Sequence, residues 1–520
     1  MAVGTTLSRL TGLGRMAALV FALGVAESRL ADAYNIANTL PNVIYELVLG
    51  GVLTSVFIPI LIEELRTRDH TDAWESASTL VSTSMAVLVA LSAATVVLAP
   101  WIVGLFSSRL SGAAAATQRD LATFLLRFFA LQVALYGFSA IAGGLLNAYD
   151  RFAVPMFAPI LNNAVVIATF LVFAVVVSGT PTDASVNADL GSKLLLALGT
   201  TAGVGAMALV HWPFVRRLPG RLRVRVDFRH PAVRKLARLS GWTLLYVVVN
   251  QIGFGIALYL ANGQRGGPTA YFTAFAFFQL PYGIVAVSIM TALLPTLSGQ
   301  FVAGDTEGFR RRTAAGLRAS ALLLVPATAA YLVLARPLVQ TLLEHGVARG
   351  ASGDLVAEVL QMFAIGILPF SAFLLFNRAF YARQDTRTPL LLNIVDNVVT
   401  VALDFALFPS MGVKGLALAH SLGYVAATAV AAVLLSRHLG GFENRQTASE
   451  LAKVVLASAV ATAAMVAVVA GVSEVIGAGG GRALAQLVAG SLAGAAGFVL
   501  SALALRVEGL AALPRILLRR

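Results

Sequence analysis

Long apolar runs, separated by short polar loops, follow one another along this chain of 520 residues. A helix needs about 20 apolar residues to cross the hydrocarbon core of a bilayer, and about fourteen runs of that length occur here. We therefore predict an all-α polytopic membrane protein with about fourteen transmembrane helices. The predicted helices lie near 6–26, 31–62, 76–105, 120–147, 153–178, 193–215, 236–261, 269–299, 314–343, 354–381, 388–408, 413–436, 450–472 and 482–505.

The composition agrees with a membrane protein. Charged residues make up 12% of the chain, against about 25% in soluble domains, and the mean hydropathy is +0.83. The net charge of +13 would suit nucleic acid, but the basic residues lie in short loops, where orientation in the membrane explains them. We therefore predict no nucleic-acid partner.

Signatures of metal, nucleotide and catalytic sites are missing from the sequence. It has no cysteine, its six histidines never fall in an HExxH spacing, and none of its four lysines follows a glycine as in a Walker A loop. No paired acid and base mark a catalytic cleft. We predict no enzymatic activity, no metal site and no cofactor. The driving force stays open, with coupling to a monovalent cation or to the membrane potential as the candidates.

The loop charges predict the orientation, because cytoplasmic loops of membrane proteins are enriched in Lys and Arg. The outer loop 179–192 holds Asp183 and Asp189 and no basic residue. With an even number of helices, both termini are predicted to be cytoplasmic. The basic loop residues on that side are Arg216, Arg217, Arg221, Arg223, Arg225, Arg229, Arg234, Lys235, Arg238, Arg310, Arg311, Arg312, Arg378, Arg383, Arg387, Arg515, Arg519 and Arg520.

The chain contains an internal repeat. The segment PMFAPILNNAVV, starting at Pro155, matches PLLLNIVDNVVT, starting at Pro389, and Leu40-Pro41 matches Leu280-Pro281 at nearly the same offset. Two six-helix halves in parallel orientation are the plan of several transporters. We therefore predict an N-terminal lobe at 1–217, a C-terminal lobe at 218–440, and helices 13 and 14 with a cytoplasmic tail at 441–520.

Two arginines interrupt the first apolar run, so we expect a retained helix there rather than a signal peptide. An arginine near a helix centre costs about 2.5–3.5 kcal/mol and usually marks a pathway or binding site. Ser8, Gly12 and Arg15 share one stripe of a helix, with Arg9 beside it. The planar fork of arginine suits phosphate, which favours an anionic ligand. For Arg9, the alternative is an anchor at the cytoplasmic interface.

The second helix is polar enough to line a water-filled cavity. Its polar positions include the interior acid Glu46, whose exposure to lipid would be energetically costly. We predict that Asn42 and Glu46 contact substrate. Hinge or gating positions are predicted at Gly12, Pro41, Gly50 and Gly51. The polar or bendable residues of this helix are Asn35, Asn38, Pro41, Asn42, Glu46, Gly50 and Gly51.

A second polar group lies on helices five and eleven. For Asn162 and Asn163, hydrogen bonding between helices is the favoured interpretation. Asp396 and Asp404 are candidates for coupling to a proton or cation, because an ionised carboxylate is costly in lipid. Solvation near the outer helix end is the alternative for Asp404.

Taken together, the ordered motifs resemble the MurJ/MviN family of lipid II flippases, within the multidrug/oligosaccharidyl-lipid/polysaccharide exporter superfamily. The likeness extends over essentially the whole chain. The motifs are SRLTGLGR (8–15), DAYNIANTLPN (32–42), GGVLTSVFIPIL (50–61), LLNAYDRFAVPMFAPILNN (145–163), QLPYGIVAVSIMTALLPTLS (279–298) and FYARQDTRTP (380–389).

This resemblance implies two lobes around a V-shaped cavity, a lipid-tail groove at helices 13 and 14, and alternating access. The implied substrate is lipid II, the undecaprenyl-pyrophosphate-linked peptidoglycan precursor, moved from the inner to the outer leaflet of the bacterial plasma membrane. Membrane lipids and the cell-wall synthesis machinery are candidate partners. Ser8, Arg9, Arg15 and Asp32 match residues that line the cavity in the family, with the arginines expected at the pyrophosphate.

Departures from the family pattern are also visible. Tyr45 and Glu46 stand where well-known members have a basic pair, and Ala276 replaces a cavity arginine. Some members hold sodium between helices seven, eleven and twelve. Asp404 matches one of those ligands, whereas other ligand positions are occupied by Ala257, Thr400 and His420.

Two further classes stay open beside the flippase. One is an exporter of drugs or of another lipid-linked oligosaccharide in the same superfamily. The other is a membrane-embedded enzyme of cell-wall assembly, which the missing catalytic pair disfavours.

Overall fold

The computed structural model describes residues 2–47, 57–67, 70–177, 179–348, 350–441, 444–477 and 480–510. Every regular element in these ranges is helical. The chain divides into two compact units. The N-terminal unit comprises Met1–Thr269 with His345–Ala348, and the C-terminal unit comprises Ala270–Glu344 with Arg349–Arg520.

The N-terminal unit contains twelve helices among its described residues. They are α1 (Ala2–Leu23), α2 (Leu30–Tyr45), α3 (Ile58–Thr67), α4 (His70–Phe106), α5 (Gly112–Phe129), α6 (Leu131–Ala148), α7 (Ala153–Val176), α8 (Asp183–Ala188), α9 (Leu190–Leu209), α10 (Trp212–Val215), α11 (Pro231–Leu239) and α12 (Gly241–Ala261).

The next helix starts at the boundary between the units, and the helices after it belong to the C-terminal unit. A π-helical turn, Tyr282–Ala286, separates the first two. The helices are α13 (Gly267–Pro281), α14 (Val287–Val302), α15 (Thr306–Leu343), α16 (Ala351–Ala364), α17 (Ile367–Ala382), α18 (Arg387–Met411), α19 (Val413–His438), α20 (Asn444–Val475) and α21 (Gly480–Ala504).

The polytopic α-helical class is confirmed, but the count of fourteen spans is not. Within the described residues, eleven helices are long and apolar enough to cross a membrane, and the pair α16–α17, bent by 44°, would make a twelfth. Helices α1 and α2 precede these spans in the chain and are not counted among them. The hydropathy of α1 is lowered by Arg9 and Arg15, and α2 has only 16 residues.

The two longest helices, α4 and α15, exceed the lengths that their apolar runs predict. Helices α4 and α15 have 37 and 38 residues, or about 55 Å at 1.5 Å per residue, against a bilayer core of about 30 Å. Their polar first turns resemble loops in a hydropathy pattern. The Asp305 side chain accepts a hydrogen bond from the Gly308 N–H (2.8 Å) and caps α15.

Another difference concerns the predicted outer loop 179–192, which contains the short helix α8. Thr182 and Ser185 form a reciprocal capping box at its start. Such a cap supplies partners for the free N–H groups of the first turn. Six residues make fewer than two turns of helix, which is too short to produce a hydropathy period, so the sequence pattern missed α8.

The internal repeat is visible in the local backbone. Pro155 and Pro389 are each the third residue of their helix, α7 and α18. Pro41 in α2 and Pro281 at the end of α13 are each followed by π-helical backbone, at residues 46–47 and 282–286. The boundary between the compact units places α11 and α12 in the N-terminal unit, whereas the repeat predicts a lobe boundary at 217. The lobe division stays a prediction.

Glycines set the packing of α9 on α7. A Cβ atom on Gly203 would lie 2.7 Å from the Asn162 Oδ1 and 2.8 Å from Val166 Cγ2, whereas a Cβ on Gly205 would meet no atom within 4 Å. Small residues let membrane helices approach closely, where van der Waals contact replaces the missing hydrophobic drive.

We predict that Gly203→Leu destabilises the N-terminal unit and that Gly205→Leu does not. Overpacking a closed contact costs about 1–3 kcal/mol. Thermal unfolding of the purified protein in detergent measures the difference. Equal melting temperatures for the two variants would contradict this packing.

Candidate functional site

The polar stripe of α1 faces α7. The Asn163 amide donates from Nδ2 to the Thr11 Oγ1 (3.0 Å) and to the Ser8 carbonyl (3.3 Å). A Cβ on Gly12 would stand 3.8 Å from the same Nδ2. Helix–helix hydrogen bonding, the favoured interpretation of Asn163, is therefore confirmed, and Ser8 contributes its backbone carbonyl to this contact.

Arg15 lies half-buried, one turn beyond Gly12 on α1. Its charge is close enough to act on the hydroxyl groups of Tyr34 in α2 and Tyr136 in α6. Among the described residues, no carboxylate forms an ion pair with its guanidinium. Arg9 is also partly exposed and lies about 9 Å earlier along the helix at 1.5 Å per residue. The N-terminal unit therefore presents two cations along one helix.

Asp32 has a different environment from the arginines. Its side chain is 0% exposed, and its carboxylate accepts from the Gly266 N–H (2.7 Å), the Thr269 N–H (3.2 Å) and the Thr269 hydroxyl (2.8 Å). These bonds join the first turn of α2 to the turn before α13. The Asp32 side chain exposes no surface to which a ligand could bind in this structure. Its contact with substrate stays a prediction.

A polar network beside Asp32 was missed by the sequence analysis. The Arg29 guanidinium donates to the Gln118 Oε1 (3.3 Å) and to the Asn262 carbonyl (3.2 Å), and the Gln118 amide donates to the Asn262 Oδ1 (2.8 Å). Asn35 donates to the Thr269 Oγ1 (3.1 Å). The only sequence signal was the glycine-rich turn NGQRGG at 262–267.

The second half of α2 is more open than the first. Asn42 is exposed and Glu46 is half-buried, whereas Pro41 is buried and the helix continues through it. The helix changes to π-helical backbone at residues 46–47, and such turns occur frequently at functional sites. Gly50 and Gly51, the other predicted hinge positions, lie outside the described residues.

Two aspartates are buried on α18 in the C-terminal unit. Asp396 is 5% exposed and Asp404 is 0% exposed. The alternative prediction for Asp404, that it is solvated near the outer end of its helix, is therefore wrong. Within the described residues, three carboxylate oxygens have no hydrogen-bond partner. They are both oxygens of Asp404 and the Oδ1 of Asp396. An ionised carboxylate in such surroundings is costly, which favours a proton or a cation as its partner.

Thr400 and His420 are further polar side chains near these acids. Thr400, one turn from each aspartate, has a buried hydroxyl without a partner among the described residues. A Cβ on Gly423 of α19 would collide with that hydroxyl, so the two helices touch there. The ring of His420 lies against Phe363 (5.4 Å) and Tyr424 (4.9 Å), surroundings that suit a neutral ring. In the described parts of the chain, no three His, Asp or Glu residues group as metal ligands do.

A family model described as Lipid II flippase MurJ matches residues 21–483. The chain belongs to this family. The predicted resemblance is therefore confirmed, and so is the class of multi-pass bacterial membrane protein.

Individual relatives agree with the family match. A probable lipid II flippase MurJ of Rhizobium meliloti is 29% identical over 464 residues, covering 89% of this chain and 84% of the relative. The lipid II flippase MurJ of Burkholderia cenocepacia is 29% identical over 421 residues, covering 81% of this chain and 79% of the relative.

Solved structures show the same fold. A lipid II flippase MurJ in an inward closed conformation matches with a TM-score of 0.77 and 19% identity, covering 97% of this chain and 98% of the other. An inward-facing multidrug resistance transporter of the MATE family matches with a TM-score of 0.66 and 15% identity, covering 84% and 98%. At these identities the likeness concerns the fold alone.

We predict that Asp32→Ala lowers the melting temperature of the purified protein, because three donors lose their acceptor. Hydrogen bonds to charged groups contribute about 1.5–3 kcal/mol each. Thr269→Ser keeps the hydroxyl and should unfold close to the wild type, as should Asp120→Ala, an exposed aspartate of the same unit. The contribution of Asp32 to the fold would be refuted by equal unfolding of Asp32→Ala and Asp120→Ala.

Proposed function

We propose that this chain flips lipid II from the inner to the outer leaflet of the bacterial cytoplasmic membrane by alternating access, for cell-wall synthesis. The observation that carries the proposal is the match of residues 21–483 to the lipid II flippase family. Transport of this kind needs binding groups and no covalent chemistry. The substrate is undecaprenyl pyrophosphate carrying a disaccharide pentapeptide.

Arg15 and Arg9 are the proposed contacts of the pyrophosphate. Arginine binds phosphate oxygens through two parallel hydrogen bonds, which a single ammonium group cannot do. Arg15 has no carboxylate partner among the described residues, so its charge is available to an anion. Asn42 and Glu46, at the open end of α2, are proposed to contact polar parts of the headgroup.

The proposed orientation places both termini in the cytoplasm. It is supported by the basic loops, since the segment from Arg216 to Arg238 carries nine basic residues against one acid. With this orientation, α1 presents its arginines near the cytoplasmic face, where the precursor is loaded.

An exporter of drugs or other lipid-linked sugars is the alternative. Its support is the fold shared with the MATE transporter, which is a weaker argument than the family match because folds host many functions. Substrate specificity is therefore what an experiment must test.

We predict that the chain restores growth and outer-leaflet lipid II in a bacterium depleted of its own flippase. Arg15→Ala should abolish rescue. Arg15→Lys should keep part of it, because lysine keeps the positive charge but lacks the planar guanidinium that binds phosphate through two hydrogen bonds. Arg151→Ala removes an exposed arginine of the same unit and serves as the control. Full rescue by well-expressed Arg15→Ala would remove Arg15 from the site.

We also propose that Asp396 and Asp404 couple transport to a proton or a monovalent cation. The support is their burial without hydrogen-bond partners for three of their four carboxylate oxygens among the described residues. Thr400 adds a third oxygen-bearing side chain on the same helix. Carboxylate and hydroxyl oxygens are the ligands that hard cations prefer.

We predict that Asp404→Asn makes flipping insensitive to the cation or proton gradient that drives the wild type. An amide keeps the shape of the carboxylate but holds no charge to titrate or to pair with a cation. Initial rates in proteoliposomes with imposed sodium or pH gradients measure this. Glu474→Gln, at an exposed acid of the same unit, is the control. An unchanged response in Asp404→Asn would exclude Asp404 from coupling.

A further inference from the structure

An extended stretch of backbone, residues 221–227, runs along helix α4 in the N-terminal unit and has no part in the proposed transport. We call it the extended segment. It lies between α10 and α11, every residue of it is described, and none is helical. Three of its N–H groups donate to hydroxyl groups of α4. These bonds run from Arg223 to Ser78, from Arg225 to Ser82 and from Asp227 to Thr83, each at 3.1 Å.

The spacing of these bonds is that of a β-strand. The donors of Arg223 and Arg225, two residues apart, span about 6.6 Å in a strand, and their acceptors on α4, four residues apart, span about 6 Å. The Ser82 hydroxyl also donates to the Arg223 carbonyl (3.2 Å). The N–H and C=O groups of Arg223 therefore point to the same edge, as they do in a sheet. One edge of the segment is thus paired with α4.

The opposite edge of the extended segment is open. In extended backbone the N–H and C=O groups of the alternate residues point away from the paired edge. Among the described residues, the backbone groups of Val224 and Val226 have no hydrogen-bond partner. These two residues are 95% and 49% exposed. An unpaired edge of this kind is a template for pairing with a strand of another chain.

Helix α4 holds the segment beyond the bilayer because it is longer than one crossing requires. Its 37 residues span about 55 Å, against about 30 Å for the hydrocarbon core. Ser78, Ser82 and Thr83 lie in its first half, and the apolar run that follows them is sufficient for the crossing. In the proposed orientation, the open edge therefore faces the cytoplasm.

Arginine side chains give the extended segment a positive charge. Arg221 and Arg223 are exposed, and within the described residues no carboxylate pairs with either of them. Arg225 pairs with Glu75 of α4. Asp227, the one acid of the segment, accepts from the backbone of the following turn (2.8 Å). Opposite charges stabilise a pair of neighbouring strands and like charges destabilise it. The charge therefore disfavours a second copy of the segment and favours an acidic strand.

We propose that the extended segment docks an acidic, extended peptide segment of a cytoplasmic protein, which adds to the open edge as a second strand. In this mode of recognition, main-chain hydrogen bonds supply affinity and side chains supply specificity. The bonds to α4 order the backbone before the partner arrives, which lowers the entropic cost of binding. Orientation in the membrane would require positive charge alone, without an ordered and unpaired edge. The proposal does not depend on which substrate is transported.

The test measures binding of fluorescent synthetic peptides to the purified full-length protein by fluorescence polarisation. The probes are a peptide of alternating Glu and Val, the same peptide with every backbone nitrogen methylated, and a peptide of alternating Lys and Val. We expect the acidic peptide to bind at least about tenfold more tightly than either of the others, because only it combines negative charge with free N–H donors. No binding of the acidic peptide, or equal binding of its methylated form, would overturn the proposal.

A membrane surface is the other partner that a basic segment could contact. The same measurement is therefore repeated in nanodiscs that contain phosphatidylglycerol. We expect the acidic peptide to bind there as well, because the lipid phosphates cannot pair with the open backbone edge as a strand does. Loss of peptide binding in these nanodiscs would assign the extended segment to the lipid surface and overturn the proposal.

The charge of the segment is tested with the double variant R221Q/R223Q. It should bind the acidic peptide at least about tenfold more weakly, since two arginines that face the docked strand are lost. The control R234Q/R238Q removes the same charge from exposed positions of the neighbouring helix α11. Equal losses in the variant and in this control would contradict docking at the extended segment.

The ordered edge is tested without a change in charge. Ser82→Ala removes two of the hydrogen bonds that hold the segment on α4 and should weaken binding of the acidic peptide. Ser84→Ala is the control, because among the described residues the Ser84 side chain makes no hydrogen bond to the segment. Equal binding by Ser82→Ala and Ser84→Ala would show that the paired edge does not prepare the docking site.

Discussion

Polar groups at membrane depth must find partners inside the protein, because lipid offers them none. This constraint accounts for much of the described structure. Asp32 collects three hydrogen bonds from the turn before α13, and Asn163 joins α7 to α1. Among the described residues, Arg15 has no carboxylate partner and Asp404 has no hydrogen-bond partner, so both are candidates for contact with a ligand. Partnered groups thus build the fold, and unpartnered ones are the candidates for function.

Much of the fold could be predicted from the sequence because hydropathy and helical period act locally. The polytopic helical class and the shared backbone pattern of the repeat both follow from the order of apolar runs and prolines. The ends of α4 and α15 could not be predicted, because polar first turns of a long helix resemble loops. The short helix α8 was missed for a related reason, since its capping box acts over only one turn.

Some features of the candidate site could also be predicted from the sequence, and others could not. The cost of charge in lipid was sufficient to single out Arg15 and Asp404 from the sequence. Their surroundings were not predictable, because burial depends on residues distant along the chain. Asp404 is enclosed despite its place near a helix end, and Asp32 is bound by a turn that lies more than 230 residues away. Gln118 and Asn262 complete that network, and Gln118 has no sequence motif of its own.

The central claim is that this chain moves lipid II across a membrane. The most direct measurement places the purified protein in liposomes with fluorescent lipid II and follows its transfer between leaflets, beside a fluorescent bulk phospholipid. We expect protein-dependent transfer of lipid II that is much faster than transfer of the phospholipid. No transfer above that in protein-free liposomes, or equal rates for both lipids, would contradict it.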